Sequence, residues 1–189
     1  MHFTIADFML DIIQNSVEAE SSEIRIDLTE TESSMRFAIR DNGVGMAPEE
    51  LRKAKDPFFT NGVKHKKRKV GLGLPFLIQT IEMTDGDFDI SSEKGKGTMV
   101  IADFQLDHMD TPPTGDIIAL IYQAMCFEGT FEMVIRRSAE FVDEEYVIRR
   151  SELLEALGDL HTAGNMNLLR HFIQSQEDEI VQKKEQIYG

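Results

Sequence analysis

The sequence predicts an α/β fold of the α+β kind: a two-layer sandwich in which helices cover one face of a mixed, mostly antiparallel sheet, followed by a small α+β module. Three observations carry that expectation. An amphipathic segment with apolar residues at helical spacing precedes two segments that alternate apolar and polar residues, so each has one face to bury. Pro112, Pro113 and Gly115 interrupt the pattern, and helix and strand signals resume beyond them. With 189 residues, 41% apolar and 29% charged, the chain suits a domain of about 100 residues plus a smaller one.

The elements follow in order. Ile5, Phe8, Met9, Ile12, Ile13 and Val17 predict a helix over 4–19, with Thr4 and Asp7 spaced as a capping pair. Ile24/Ile26/Leu28 and Met35/Phe37/Ile39 predict two strands of a hairpin joined by the polar residues 29–34. A short helix is expected near Pro48, then a long irregular stretch to about Val70. A helix from Leu72 to Met83 closes at Asp85-Gly86, and strands around 88–91 and 98–106 flank Lys94-Gly95-Lys96-Gly97. The boundary between a first domain, 1–106, and a C-terminal module, 107–189, falls in the Pro-rich stretch. In the module, helices are expected over 117–125, 151–160 and 166–187, and strands over 131–136 and 146–149.

The formal net charge of -14 argues against nucleic acid held by its phosphates, which needs clustered cations. The exception is Lys64-His65-Lys66-Lys67-Arg68-Lys69, a basic run that suits an anionic visitor. No apolar run approaches the roughly 20 residues of a spanning helix, so no membrane partner is expected. The start shows no secretory pattern and Cys126 is the lone cysteine, which makes a reducing, cytoplasmic location the expectation. Cys126 itself reads as a small hydrophobe rather than a nucleophile.

Three short patterns can carry chemistry. Asp7, Asp11 and Asn15 lie four apart on the polar face of the first helix, where they either converge on a ligand or form a solvated face. In Asp41-Asn42-Gly43-Val44-Gly45-Met46 an acid ends a strand and two glycines follow, which suits either close approach of a flat ligand or a simple turn. Gly71-Leu72-Gly73-Leu74 opens a helix whose free N–H groups suit phosphate, without the spacing of a Walker or Rossmann loop.

Taken in order with Gly95-Lys96-Gly97-Thr98, these pieces resemble the GHKL ATP-binding domain of gyrases, heat-shock chaperones, histidine kinases and MutL proteins. Residues 11–19 look like the family's N box and Asp56-Pro57-Phe58-Phe59-Thr60 like the F box of histidine kinases, over a resemblance spanning residues 1 to about 106. It implies a Bergerat-type fold, Mg²⁺ held by the Asn15 amide oxygen, and adenine recognised by Asp41 through its amino group. Guanine presents an acceptor at that place, so ATP is expected over GTP. Gly43 and Gly45 would shape the adenine pocket, Thr98 would steady Asp41, and Gly71 and Gly73 would sit at the phosphates. Residues 60–70 would form a lid. The resemblance also places Met46, Phe59, Thr60, Lys64, Leu72 and Leu74 among the nucleotide-binding residues. Asp11 stands where several branches carry a Glu as general base; it is one methylene shorter and is the candidate base here.

Three functions are compatible with such a site: a slow ATPase acting as a nucleotide-driven switch, a protein kinase acting on His or Ser of a partner, and a non-hydrolysing ATP sensor. None of the five histidines is followed by Glu or Asp, so phosphorylation is expected in trans. Residues 107–189 carry no motif, and their acidity suits a protein partner or self-association.

Overall fold

The computed structural model describes residues 4–56 and 73–188. In chain order they form α1 (Ile5–Glu18), β1 (Glu23–Glu30), β2 (Ser34–Asp41), α2 (Pro48–Ala54), α3 (Gly73–Met83), β3 (Asp87–Glu93), β4 (Gly97–Gln105), α4 (Ile117–Met125), β5 (Glu132–Ala139), β6 (Glu144–Arg149), α5 (Arg150–Leu157) and α6 (Ala163–Tyr188). The strands make one six-stranded sheet in the order β3-β4-β2-β1-β5-β6. Every neighbouring pair is antiparallel except β1 and β5, which run parallel. This is the helix-on-sheet sandwich expected from the patterning.

The period-two alternation does the sorting. Ile24, Ile26 and Leu28 on β1, Met35, Phe37 and Ile39 on β2, and Val100, Ala102 and Phe104 on β4 all bury one face. Arg25 and Asp27, with Arg36 and Arg40, stay exposed on the other face. Against the buried face lies the apolar stripe of α1, with Ile5, Phe8, Met9, Ile12 and Ile13 all buried in the same cluster. Burying a side chain of that size stabilises by about 1.5–3 kcal/mol, so α1 is fixed chiefly by this stripe.

The stretch 107–189 is expected as a module behind the first domain; its described residues, 107–188, share the sheet and the core of that domain. β5 pairs with β1 from Glu23↔Glu132 to Glu30↔Ala139, and Met133 and Ile135 join the main hydrophobic cluster together with Leu120, Ile121, Leu169 and Ile173. The physical reason is the open edge of β1, whose N–H and C=O groups need a strand beside them. Nor is the Pro-rich stretch a free linker. The carbonyl oxygens of Pro113 and Thr114 accept from the N–H groups of Ile5 and Ala6, 3.0 and 2.9 Å away. Thr4 Oγ1 accepts from Asp7 N–H and Asp7 accepts in turn from Thr4 N–H, which completes the capping box. Asp7 is therefore committed to the start of α1 rather than to a ligand shared with Asp11 and Asn15.

Two buried arginines tie the C-terminal elements down. Arg137 on β5, 2% exposed, pairs with Glu30 at the end of β1 and with Glu177 of α6, and Tyr146 donates its hydroxyl to the same Glu177. Arg150 donates to the carbonyls of Met125, Phe127 and Phe131 and lies 4.4 Å over the Phe131 ring. That fan of hydrogen bonds satisfies the end of α4 and the loop behind it. Among the described residues no helix is long and apolar enough to cross a membrane.

Candidate nucleotide site

The site is built where α1, the end of β2 and the β3–β4 hairpin meet. Asp41 ends β2 on the buried face and is 8% exposed. Its Oδ2 accepts from the Ser16 hydroxyl at 2.9 Å, and its Oδ1 accepts from Gly43 N–H at 2.9 Å and Thr98 N–H at 3.3 Å. A buried carboxylate needs such donors to offset its lost hydration, and here they also fix its plane. Oδ1 is filled by its two donors, whereas Oδ2, with Ser16 alone, retains acceptor capacity for one further donor.

Thr98 and Ser92 are paired across β3 and β4, and their hydroxyls lie 2.9 Å apart. Ser92 also accepts from Met46 N–H at 2.8 Å, so the loop after β2 is pinned to the hairpin. Asn42 anchors the same loop from the other side: its Oδ1 accepts from the N–H groups of Ser22 and Glu23, both at 2.9 Å. Neither Ser16, Ser92 nor this role of Asn42 stood out in the sequence. Ser16 had a usable signal in its place next to Asn15, while Ser92 had none before the register of β3 against β4 was known.

The glycines are there for close chain packing. A Cβ on Gly43 would press on the Ala19 carbonyl and the Ser21 hydroxyl, and one on Gly45, at φ +57, would overlap the Glu93 carbonyl. Gly97, at φ +107, brings its backbone against the Asp41 carbonyl and Asn42 with no room for a side chain. These glycines let the loop, α1 and the hairpin approach one another.

Asn15 and Asp11 are exposed on α1, one turn apart, and Asn15 immediately precedes the Ser16 that holds Asp41. Asp11 reaches the first turn of α3: a side chain on Gly73 would collide with its carboxylate. The structure thus sets Asp11 against Gly73, and Asp41 against Ser16, Gly43 and Thr98, while Gly45 packs on the β3–β4 hairpin and Asn15 stands exposed beside Ser16. Met46 and Leu74 are half-buried and pack against the main core. Phe59, Thr60, Lys64, Gly71 and Leu72, with the expected lid over 60–70, lie outside the described residues.

Comparison with known proteins bears on the family of the chain. The model of the family described as "Histidine kinase-, DNA gyrase B-, and HSP90-like ATPase" matches residues 4–108, more than half of the chain. Sporulation kinase C of Bacillus subtilis is 33% identical over 92 residues, which is 48% of this chain and 21% of that protein. Sensor protein SrrB of Staphylococcus aureus is 35% identical over 103 residues, 50% of this chain and 18% of that protein. The matched stretch is thus about a fifth of the length of these relatives. Among solved structures, the catalytic domain of histidine kinase ThkA is similar at 23% identity and a TM-score of 0.39, covering 56% of this chain and 66% of that one. On the family match across residues 4–108, the chain belongs to the histidine kinase-, DNA gyrase B- and HSP90-like ATPase family.

Proposed function

We propose that residues 4–108 bind ATP with Mg²⁺ and that the bound nucleotide sets the conformation of the chain, with turnover slow. The observation that carries this reading is Asp41, a buried carboxylate held on both oxygens by Ser16, Gly43 and Thr98 yet keeping acceptor capacity. Such a group suits the amino group of adenine and rejects the carbonyl of guanine. Asn15, on α1 next to the Ser16 that holds Asp41, would supply the hard amide oxygen that Mg²⁺ prefers. When bound, Mg²⁺ neutralises charge on the triphosphate. Asp11, at the first turn of α3, is where a base or an orienting group for water would stand.

The C-terminal segment is placed to register a change at this site. Its Pro113 and Thr114 carbonyls cap α1, the helix that carries Asp11 and Asn15, and α4 packs along α1. A shift of α1 on nucleotide binding would therefore be felt in residues 107–188, and a protein partner reading that segment would sense the nucleotide.

A second reading, phosphoryl transfer to His or Ser of another protein, draws on the relatives, whose names describe a sporulation kinase and a sensor protein. Phosphate release from ATP by wild type and Asp11→Asn, beside transfer of labelled γ-phosphate into cell extract, separates the two. Slow release that Asp11→Asn abolishes supports the ATPase switch. Labelling of a protein in the extract without release supports the kinase, and silence in both assays with intact ATP binding leaves a nucleotide sensor.

A further inference from the structure

The sheet ends at β6, and among the described residues no strand pairs with its outer edge. An open edge strand is a template for another strand and is normally blunted by charge, proline or a covering element. β6 has no proline, and its alternate residues Glu145, Val147 and Arg149 are all exposed, with Val147 at 42%. Beside it runs an apolar groove of about 370 Å³ lined by Val147, Leu153, Leu157, Leu168 and Phe172, of which Leu168 and Phe172 are 57% and 44% exposed. Edge and groove together form an uncovered surface outside the nucleotide site, with Leu153 and Leu157 joining the groove floor to the main core.

The sequence of β6 says what fits it. When two copies pair antiparallel about a two-fold axis through Val147, Val147 faces Val147 of the other copy, Glu145 faces Arg149 and Arg149 faces Glu145. On the other face Tyr146 meets Ile148. Every opposed pair is therefore either apolar or of opposite charge, which is the condition for a favourable cross-strand ladder. A one-residue slip would set Tyr146 against Arg149 and Val147 against Ile148, mixing the two faces. Self-complementarity of this kind defines an isologous interface. Within one copy Glu145 and Arg149 already touch Arg136 and Glu152, at 2.5 and 3.6 Å, contacts that are exposed and weak and leave both groups open to a second partner.

We propose that the chain forms a two-fold dimer by antiparallel pairing of β6 with β6 of a second copy, centred on Val147, with the grooves of the two copies flanking the joint. The sheet then continues across the axis, and the two nucleotide sites stand at opposite, outer parts of the assembly. This assignment is independent of whether ATP is bound or hydrolysed.

The test is sedimentation of the full chain together with site-directed cross-linking. In a Cys126→Ser background, Val147→Cys should oxidise to a disulfide-linked dimer, because directly opposed residues of an antiparallel pair bring their Cα atoms within disulfide range. Glu145→Cys and Arg149→Cys should each stay monomeric alone and cross-link when mixed. Without cross-linking, Glu145→Lys or Arg149→Glu should weaken the wild-type dimer by roughly tenfold each, since attractive pairs become repulsive. A mixture of the two variants should restore it as a heterodimer. A monomer at every concentration with no Val147→Cys cross-link, a dimer indifferent to both charge reversals, or a chain that stays monomeric and instead captures a foreign strand would each overturn the proposal.

Discussion

Replacing Asp41 with Asn removes one charge and changes almost nothing in shape, which makes the consequence calculable. The amide oxygen keeps the place of Oδ1, where it accepts from the Gly43 and Thr98 N–H groups at 2.9 and 3.3 Å. The NH₂ group then faces Ser16, 2.9 Å from the present Oδ2, and the hydroxyl turns to accept instead of donate. The network survives, at a cost of about 1 kcal/mol for the lost charge assistance. The second amide hydrogen, however, takes the direction in which an adenine amino group would donate, and donor meets donor. Losing a hydrogen bond to a charged acceptor costs about 1.5–3 kcal/mol, or roughly 10- to 150-fold in affinity. Calorimetric titration with ATP and Mg²⁺, alongside thermal unfolding, reads both numbers. An affinity within about threefold of wild type, in a variant that folds normally, would refute the assignment of Asp41 to adenine.

Three further outcomes follow from named contacts. Arg137→Met should lower unfolding stability by about 3 kcal/mol in urea, because Glu30 and Glu177 lose the arginine that faces them while keeping some water; a loss under about 1 kcal/mol would mean the pair is not buried in solution. Gly97→Ala should destabilise by more than about 2 kcal/mol, since its Cβ would overlap the Asp41 carbonyl at a positive φ, whereas Gly95→Ala, with open space around its Cβ, should cost only about 1 kcal/mol of backbone strain. His161 bonds the Cys126 carbonyl and Asp159, which together raise its pKa above 6.5. Its stabilising contribution is then complete below that ordinary value and fades as pH rises through the raised folded value. His161→Ala should therefore lower the melting temperature more at pH near 5 than near 9, and an equal loss at both would exclude the protonated contact.

What could be read from the sequence was what local periodicity and end chemistry determine. The helix expected over 117–125 is α4 residue for residue, and the Thr4–Asp7 capping pair opens α1 as its spacing implied. Asp41 is singled out by the order of the motifs, because an acid ahead of Asn-Gly read alone suits a turn as well as a ligand. Long-range pairing was another matter. That Glu132–Ala139 would lie parallel to β1 depends on an open edge more than 100 residues earlier in the chain, and no period within β5 encodes it. Pro112-Pro113 has the composition of a linker, yet its fixed backbone presents carbonyls to the N–H groups of Ile5 and Ala6. Arg137 and Arg150 look like ordinary surface residues in sequence, and only the carboxylates and carbonyls brought around them by folding make burial tolerable. In the site itself, Ser16 and Ser92 act through partners 25 and 46 positions away, Asp41 and Met46, beyond the span of any single motif.

Adenine recognition by Asp41 and metal binding by Asn15 stand or fall on calorimetric titration of the wild-type chain with ATP, with and without Mg²⁺, beside the same titrations with GTP. Saturable binding of one ATP per chain, strengthened by Mg²⁺ and not reproduced by GTP, is the expected result. Equal binding of ATP and GTP, or no binding of either with Mg²⁺ present, would contradict it.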